Sequence, residues 1–310
     1  MSEFINTKIK RGVIKKPTFF KAIKLLIFCL GIIPLISPAI IIRHDISAEK
    51  YDASASDFPP LATLYSIGVH GTLIHPEWVV TAAHAVFCLQ PGQKIKVGNE
   101  IATVANRYSY PEYILGEKHD IALVKLNKPV MSVEPVALFE QNTEKGMVTW
   151  FIGAGGTGTG LEGETVGFEE NKGKLRKAQN KIVEVRASDI VFKFEEGSNG
   201  LPLEGVSGNG DSGGPAYVQD ESGYTLLGVS SRTGSWDEGH SDYGGGEYNA
   251  GEYGVTEFYT RISFYTDWIG QVISATSESM RKQISTHDAF LHPGMEVENM
   301  PQLCNAIEIK

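Results

Sequence analysis

The sequence predicts an all-β fold made of two similar six-stranded units in tandem, followed by one helix near the end. The chain has 34 glycines, and its short apolar runs, such as 77–80 and 121–126, sit between polar or Gly-rich breaks. That is the pattern of many short strands rather than a few long helices. These runs form two successive sets, and only after the second set do apolar residues recur at helical spacing. With 310 residues, 42% hydrophobic and 21% charged, the composition is that of a globular protein and excludes a disordered one.

The chain opens on an export signature. Its first 24 residues hold seven basic side chains (Lys8, Lys10, Arg11, Lys15, Lys16, Lys21, Lys24) and one acid, Glu3, before an uncharged stretch from Leu25 to Ile42. Pro34 and Pro38 interrupt that stretch, and Ser37-Pro38-Ala39 offers small residues for a cut after Ala39. Residues 1–39 are therefore read as a signal peptide, and the protein as secreted or periplasmic. The alternative is a membrane-anchored protein with everything else outside the cytoplasm, because 18 apolar residues at ~1.5 Å each nearly cross a bilayer core. Contact with a membrane is expected only in that case.

Net charge is −9, and it grows more negative once the basic leader is removed. Such a surface repels nucleic acid and anionic lipid, so no nucleic-acid partner is expected. Two cysteines, Cys88 and Cys304, follow the leader, as suits an exported protein carrying one disulfide.

The first set of segments is 61–69, 72–74, 78–81, 94–97, 101–104 and 121–126. The second is 147–152, 174–185, 190–194, 216–218, 224–230 and 253–261. Two β units in tandem leave a cleft between them, where ligands often bind. Phe264, Trp268, Ile269, Val272 and Ile273 then mark an amphipathic helix over 263–274. Residues 275–310 mix charges, prolines and few hydrophobics, and read as an appended tail ordered through Cys304.

Three short stretches carry the chemistry. In 208–215 (GNGDSGGP) Ser212 stands among glycines that let the backbone turn sharply and approach a substrate closely. A serine hydroxyl is a weak nucleophile, so amide hydrolysis needs a base within hydrogen-bond reach and donors aimed at the developing oxyanion. His84, at the end of 81–84 (TAAH), is delivered by an apolar strand and suits general-base work. Asp120, in 119–126 (HDIALVKL), stands at the mouth of another apolar strand, where a carboxylate fixes the imidazole tautomer.

These three blocks, in the order His, Asp, Ser, resemble the signatures of the chymotrypsin/trypsin-type serine proteases, and with so few cysteines the chain is similar to bacterial-type members. The likeness extends over residues 40–273 through Gly71-Thr72-Leu73-Ile74, Gly153-Ala154-Gly155 and Tyr259-Thr260-Arg261. It implies two six-stranded antiparallel β-barrels, near 40–145 and 146–262, within a protease domain over 40–274. It also implies a serine endopeptidase, most simply a monomer, acting on protein or peptide substrates without a cofactor. By the same resemblance the N–H groups of Gly210 and Ser212 form an oxyanion hole, and Ser231 lines the site beside Asp120.

In this family the acid before the nucleophile, here Asp211, pairs with an α-amino group freed by proteolysis. Ile40 to Ile42 lie at comparable distance before His84, but no basic residue precedes them. The expectation is that cleavage after Ala39 frees Ile40 to reach Asp211 without a separate activating protease. In the specificity pocket, Val206 replaces the aspartate of trypsins, six residues before Ser212, whereas Glu257 falls at another wall of the same pocket. A buried carboxylate favours a cation and Val206 an apolar side chain. Glu257 tips the expectation towards Lys or Arg before the scissile bond.

The chain departs from the family where a cysteine pair braces the catalytic histidine: Val69 and Ala85 stand there, and Gly208 replaces a pocket cysteine. Core packing must substitute for those links, and a bond between Cys88 and Cys304 would tie the tail near the catalytic loop. Segment 235–254 has five acids among glycines but matches no calcium motif and reads as a solvated loop. The other histidines show no metal-ligand spacing, so no metal is expected. The rival reading is a catalytically inactive protease-fold binding protein. An α/β esterase is opposed by the chain order, since its histidine would come last.

Overall fold

The computed structural model describes residues 39–171, 173–234, 250–286 and 297–310. The expected leader up to Pro38, most of the acidic segment 235–254, and His240, His287 and His292 lie outside the described residues. Strand β1 (Ile40–Ile42) comes first, followed by β2 (Leu61–Tyr65), β3 (Gly68–His75), β4 (Trp78–Thr81), β5 (Lys94–Val97), β6 (Glu100–Ser109) and β7 (Ala122–Leu126). Strands β2 to β7 close into a barrel in the order β2-β3-β4-β7-β6-β5.

After β8 (Ala137–Leu138) come β9 (Val148–Gly153), β10 (Thr157–Thr159), β11 (Gly163–Val166), the short helix α1 (Phe168–Asn171), β12 (Arg176–Val185), β13 (Asp189–Lys193), β14 (Gly205–Val206), β15 (Pro215–Asp220), β16 (Gly223–Gly234) and β17 (Thr256–Arg261). Six of these, β9, β12, β13, β17, β16 and β15, form a second antiparallel ring that closes through β15 and β16. Every barrel strand is overlapped by an apolar segment read from the sequence, and eleven of the twelve segments fall on a single strand. Alternation explains why: in β5, Ile95 and Val97 point inward and Lys94 and Lys96 outward.

Most boundaries shift by a few residues, and one segment is split. The segment read as 61–69 is broken into β2 and β3 by a two-residue turn at Ser66-Ile67, with Tyr65 opposite Gly68, and β3 opens on left-handed backbone at Gly68 (φ +105) and Val69 (φ +58). The core of the second barrel is aromatic: Phe151 stacks on Tyr259 at 4.8 Å, and Phe192 meets both rings edge-on. Pairs of this kind add ~0.5–1.5 kcal/mol each beyond the area they bury.

Helix α2 (Ile262–Ser274) buries Ile262, Tyr265, Trp268, Ile269 and Val272, whereas Phe264, expected on this face, is exposed, because the buried stripe starts at Ile262 and runs through Tyr265. Residues beyond it fold back on the first barrel. Helix α3 (Glu278–Gln283) is capped by Ser277, Thr286 bridges to Ser109, and Trp268 donates its indole N–H to Ile284 O at 2.8 Å. Helix α4 (Met300–Ile307) buries Ile307 in the first core, and Ser66 N–H donates to Ile307 O at 2.8 Å. Cys88 and Cys304 are joined in a disulfide, with their Cα atoms 5.2 Å apart. Among the described residues no helix is long and apolar enough to cross a membrane.

Candidate active site

Strand β4 ends at Thr81, and the chain enters a single 3-10 turn over Ala83–Val86 that carries His84 inward, 3% exposed. Polar contacts brace this turn where the family's cysteines are missing. Tyr65 OH donates to Ala85 O at 2.9 Å and accepts from Cys88 N–H at 3.1 Å, and Arg107 donates to the carbonyls of Val86 and Leu89. Val69 and Ala85 are buried among the first-barrel core, as the substitution of packing for a crosslink demands.

His84 meets a buried carboxylate. Its Nδ1 lies 2.6 Å from Asp120 Oδ2, and its backbone N–H donates to Asp120 Oδ1 at 2.9 Å. The Ser231 hydroxyl, from β16, donates to Asp120 Oδ2 at 2.7 Å, and Thr260 donates to the Asp120 carbonyl at 2.8 Å. Burial alone would push the Asp120 carboxyl up, but the charge of the histidine and these hydrogen bonds outweigh it and hold the group below its usual range. His119, in left-handed backbone (φ +58), stacks on Tyr110 and shares a hydrogen bond with Tyr265 OH, fixing the turn that presents Asp120.

The loop carrying Ser212 is stitched to the start of β3. Val69 N–H donates to Gly210 O and His70 N–H to Ser212 O, both at 2.7 Å, while Gly213 N–H donates to Ser230 O at 2.9 Å. Gly213 is required here: its φ is +75, and a Cβ would lie 2.2 Å from His70 O. The bonds from β3 and β16 thus hold the Ser212 loop between the two barrels.

Asp211 is buried beside the loop, and its carboxylate accepts N–H groups from Gly155 at 2.6 Å and Gly208 at 2.9 Å. Burial raises its pKa to about 7, with Glu164 adding a like charge and the backbone donors opposing. The His70 ring lies beside it, with Nε2 3.9 Å from Asp211 Oδ1. Burial lowers the His70 pKa to about 4, so that ring stays neutral, and its Nε2 accepts the Ala154 N–H at 2.9 Å.

Ile40 is buried in β1, which runs parallel to β10 and antiparallel to β14 with Ile41 opposite Val206. The Ile40 carbonyl accepts the Thr157 hydroxyl at 2.9 Å. In the full chain the Ile40 nitrogen is in peptide linkage to Ala39, so it is no ammonium. Val206 is wholly buried in a small cluster with Ile41, Phe194 and Val255. Glu257, 3% exposed, accepts the Ser207 N–H at 3.1 Å. Burial raises the Glu257 pKa to about 8, with the Ser207 bond opposing and Asp211 adding to the shift.

Sequence reasoning assigned no role to several residues of this neighbourhood: His70 and Glu164, and His119 and Thr260, which stand inside the motifs that carry the family resemblance. A sequence motif marks only the position of a side chain along the chain, and these four act through contacts made across strands. Among the described residues no group of three or more His, Cys, Asp or Glu side chains could hold a metal ion.

Two closed antiparallel barrels, with a buried His-Asp pair on the first and a Gly-flanked serine on the second, define the class of chymotrypsin/trypsin-type serine proteases. The sequence profile of the family described as Trypsin matches residues 49–269, so the chain belongs to the trypsin family. It is similar to a tryptase of Mus musculus, 28% identical over 234 residues that cover 64% of this chain and 76% of that protein.

Proposed function

We propose that this protein is a serine endopeptidase working through Ser212, His84 and Asp120. The observation that carries the reading is the buried Asp120 carboxylate, bonded at once to the His84 ring, the His84 backbone and Ser231. With Nδ1–H held by Asp120, the proton-free Nε2 serves as base for the Ser212 hydroxyl. The alkoxide attacks the scissile carbonyl, and His84 passes the proton to the leaving amine. Water then repeats the sequence to release the acyl group. The N–H groups of Gly210 and Ser212 receive the oxyanion, a contribution of ~10²–10³ in rate per donor.

Processing completes the site. Cleavage after Ala39 converts the Ile40 nitrogen into an ammonium at the start of β1, and that cation answers the unmatched buried charge of Asp211. The leader that ends there directs export. In the pocket, Glu257 gives a preference for Lys or Arg before the scissile bond, since Val206 is already taken up in its own apolar cluster.

The test is labelling of the exported protein with a serine-directed phosphonylating reagent, alongside profiling of peptide cleavage. An adduct on Ser212 that is absent from Ser212→Ala is expected. Correctly processed protein that carries no adduct and cleaves nothing would instead be the inactive binding protein.

A further inference from the structure

One acid close to the Ser212 loop is not used by the chemistry just described. Glu164 lies on β11, and its carboxylate grips Asn209 twice: Oε2 accepts the Asn209 backbone N–H at 2.7 Å, and Oε1 accepts the Asn209 side-chain amide at 3.2 Å. A third bond holds the same residue from the other side, because Gly156 N–H donates to Asn209 O at 2.6 Å. The carboxylate packs directly on Gly156, where a Cβ would lie 2.3 Å from Glu164 Oε1.

The peptide that follows Asn209 contains the Gly210 N–H. A trans peptide places C=O and N–H on opposite sides. With the Asn209 carbonyl fixed on Gly156, the Gly210 N–H must point away from Gly156, while the Gly210 carbonyl is held by Val69 N–H at 2.7 Å. The plane of the donor is therefore set by Glu164 and Gly156 together.

The position of Glu164 is costly for the resting chain. Burial raises its pKa, and its charge adds to the penalty on nearby Asp211. A residue selected for stability alone would not set a second carboxylate beside a buried one. The hairpin that delivers it is tied to the processed end of the chain: β10 pairs with β1, Gly158 of β10 stands opposite Glu164, and Glu164 N–H donates to Ala250 O at 2.8 Å.

We propose that Glu164 is a positioning residue for the oxyanion donor Gly210, acting through Asn209. The inference rests on the protease reading above and adds to it a residue outside the triad and the Asp211 pair.

The test uses processed, active protein and compares the parent with Glu164→Ala and Glu164→Gln. Three quantities are read: kcat and KM on a peptide amide, and affinity for a peptide aldehyde, whose hemiacetal oxygen occupies the hole. For Glu164→Ala, kcat and aldehyde affinity should both fall about tenfold, less than the ~10²–10³ lost with a donor itself, and KM should change less than about twofold, as befits loss of transition-state stabilisation alone. Glu164→Gln keeps one acceptor for the Asn209 N–H and should lose less, with thermal stability equal to the parent or above it. Parental kcat and aldehyde affinity in a folded variant, or a loss confined to KM, would overturn the proposal. If Glu164→Ala does not fold, Glu164→Leu, which likewise offers Asn209 no acceptor, decides by the same criteria. A parent that neither cleaves peptides nor labels at Ser212 removes the protease reading itself, and this inference with it.

Discussion

His84 Nδ1 and Asp120 Oδ2 lie 2.6 Å apart in a buried pocket, and the Ser231 hydroxyl shares the same carboxylate oxygen at 2.7 Å. A charge-assisted bond of this length fixes which histidine nitrogen carries the proton. Asp120→Asn should therefore lower kcat by on the order of 10⁴, the scale seen when such a carboxylate becomes an amide. Ser231→Ala removes one hydrogen bond of ~1 kcal/mol and should cost at most about tenfold. Steady-state kinetics on a peptide amide checks both, and equal losses in the two variants would contradict the assignment.

In the unprocessed chain the buried carboxyls of Asp211 and Glu257 each contribute stability in mild acid that is lost towards neutral pH, opposed by His70, whose pKa lowered to about 4 makes its contribution grow as pH rises. Asp211 titrates near 7 against an ordinary 3.8, and Glu257 near 8 against 4.5. A carboxyl raised in the folded state contributes stability fully below its unfolded pKa and loses it as pH climbs through the folded one. The loss thus runs from about pH 4 to 7 for Asp211 and to about pH 8 for Glu257. Thermal unfolding of the full chain across this range should show it, Asp211→Asn should flatten the lower part, and a cut that supplies the Ile40 ammonium should do the same.

Sequencing the amino terminus of active protein should return Ile40. Parallel pairing of β1 with β10 puts Ile40 opposite Thr157, so a start one residue either way changes which nitrogen becomes the ammonium. Protein beginning at Ile40 that remains inactive would refute this account of activation.

In the pocket, Glu257→Ala should abolish any preference for Lys or Arg and leave apolar residues favoured. A carboxyl with a pKa near 8 also predicts pH dependence in the parent: the ratio of basic to aromatic cleavage should rise as pH rises towards 8, where the charged form gains. Peptide-library profiling at two pH values reads both effects. An unchanged basic preference in the variant would take Glu257 out of the pocket.

Replacing Cys304 by serine should release α4 from the turn that carries His84. The closed loop spans 216 residues, and the chain-entropy account gives a stabilisation of about 5 kcal/mol for loops of this order. Denaturant unfolding with and without reductant measures it, and an unchanged midpoint would show that Ile307 and the bond from Ser66 hold the tail unaided.

The barrels were legible because alternation of apolar and polar residues survives in short runs. Ile95 and Val97 in β5, or Val79 and Val80 in β4, need no distant partner to announce a strand. The edges were not. Residues 40–42 were expected as a freed terminus rather than as a strand, and β10, β11 and β14 are short, Gly-containing pieces whose pairing depends on segments up to 165 residues away in the chain, as with Ile41 opposite Val206. The tail gave only Cys304 as a hint, since its burial of Ile307 is a contact with a surface that the first barrel creates.

The sequence by itself determined the family, the chain order of His84, Asp120 and Ser212, and the twelve barrel strands. All of these are encoded locally, in a side chain's chemistry and its immediate neighbours. Ser231 beside Asp120 was already implied by the family resemblance, but only the tertiary structure decided the rest of what surrounds those residues: Thr260 on Asp120, Tyr65 and Arg107 bracing the histidine turn, Glu164 on Asn209, and Asp211 buried beside a neutral His70. Hydrogen bonds and desolvation act over a few ångströms in space, and they join residues that the chain keeps far apart.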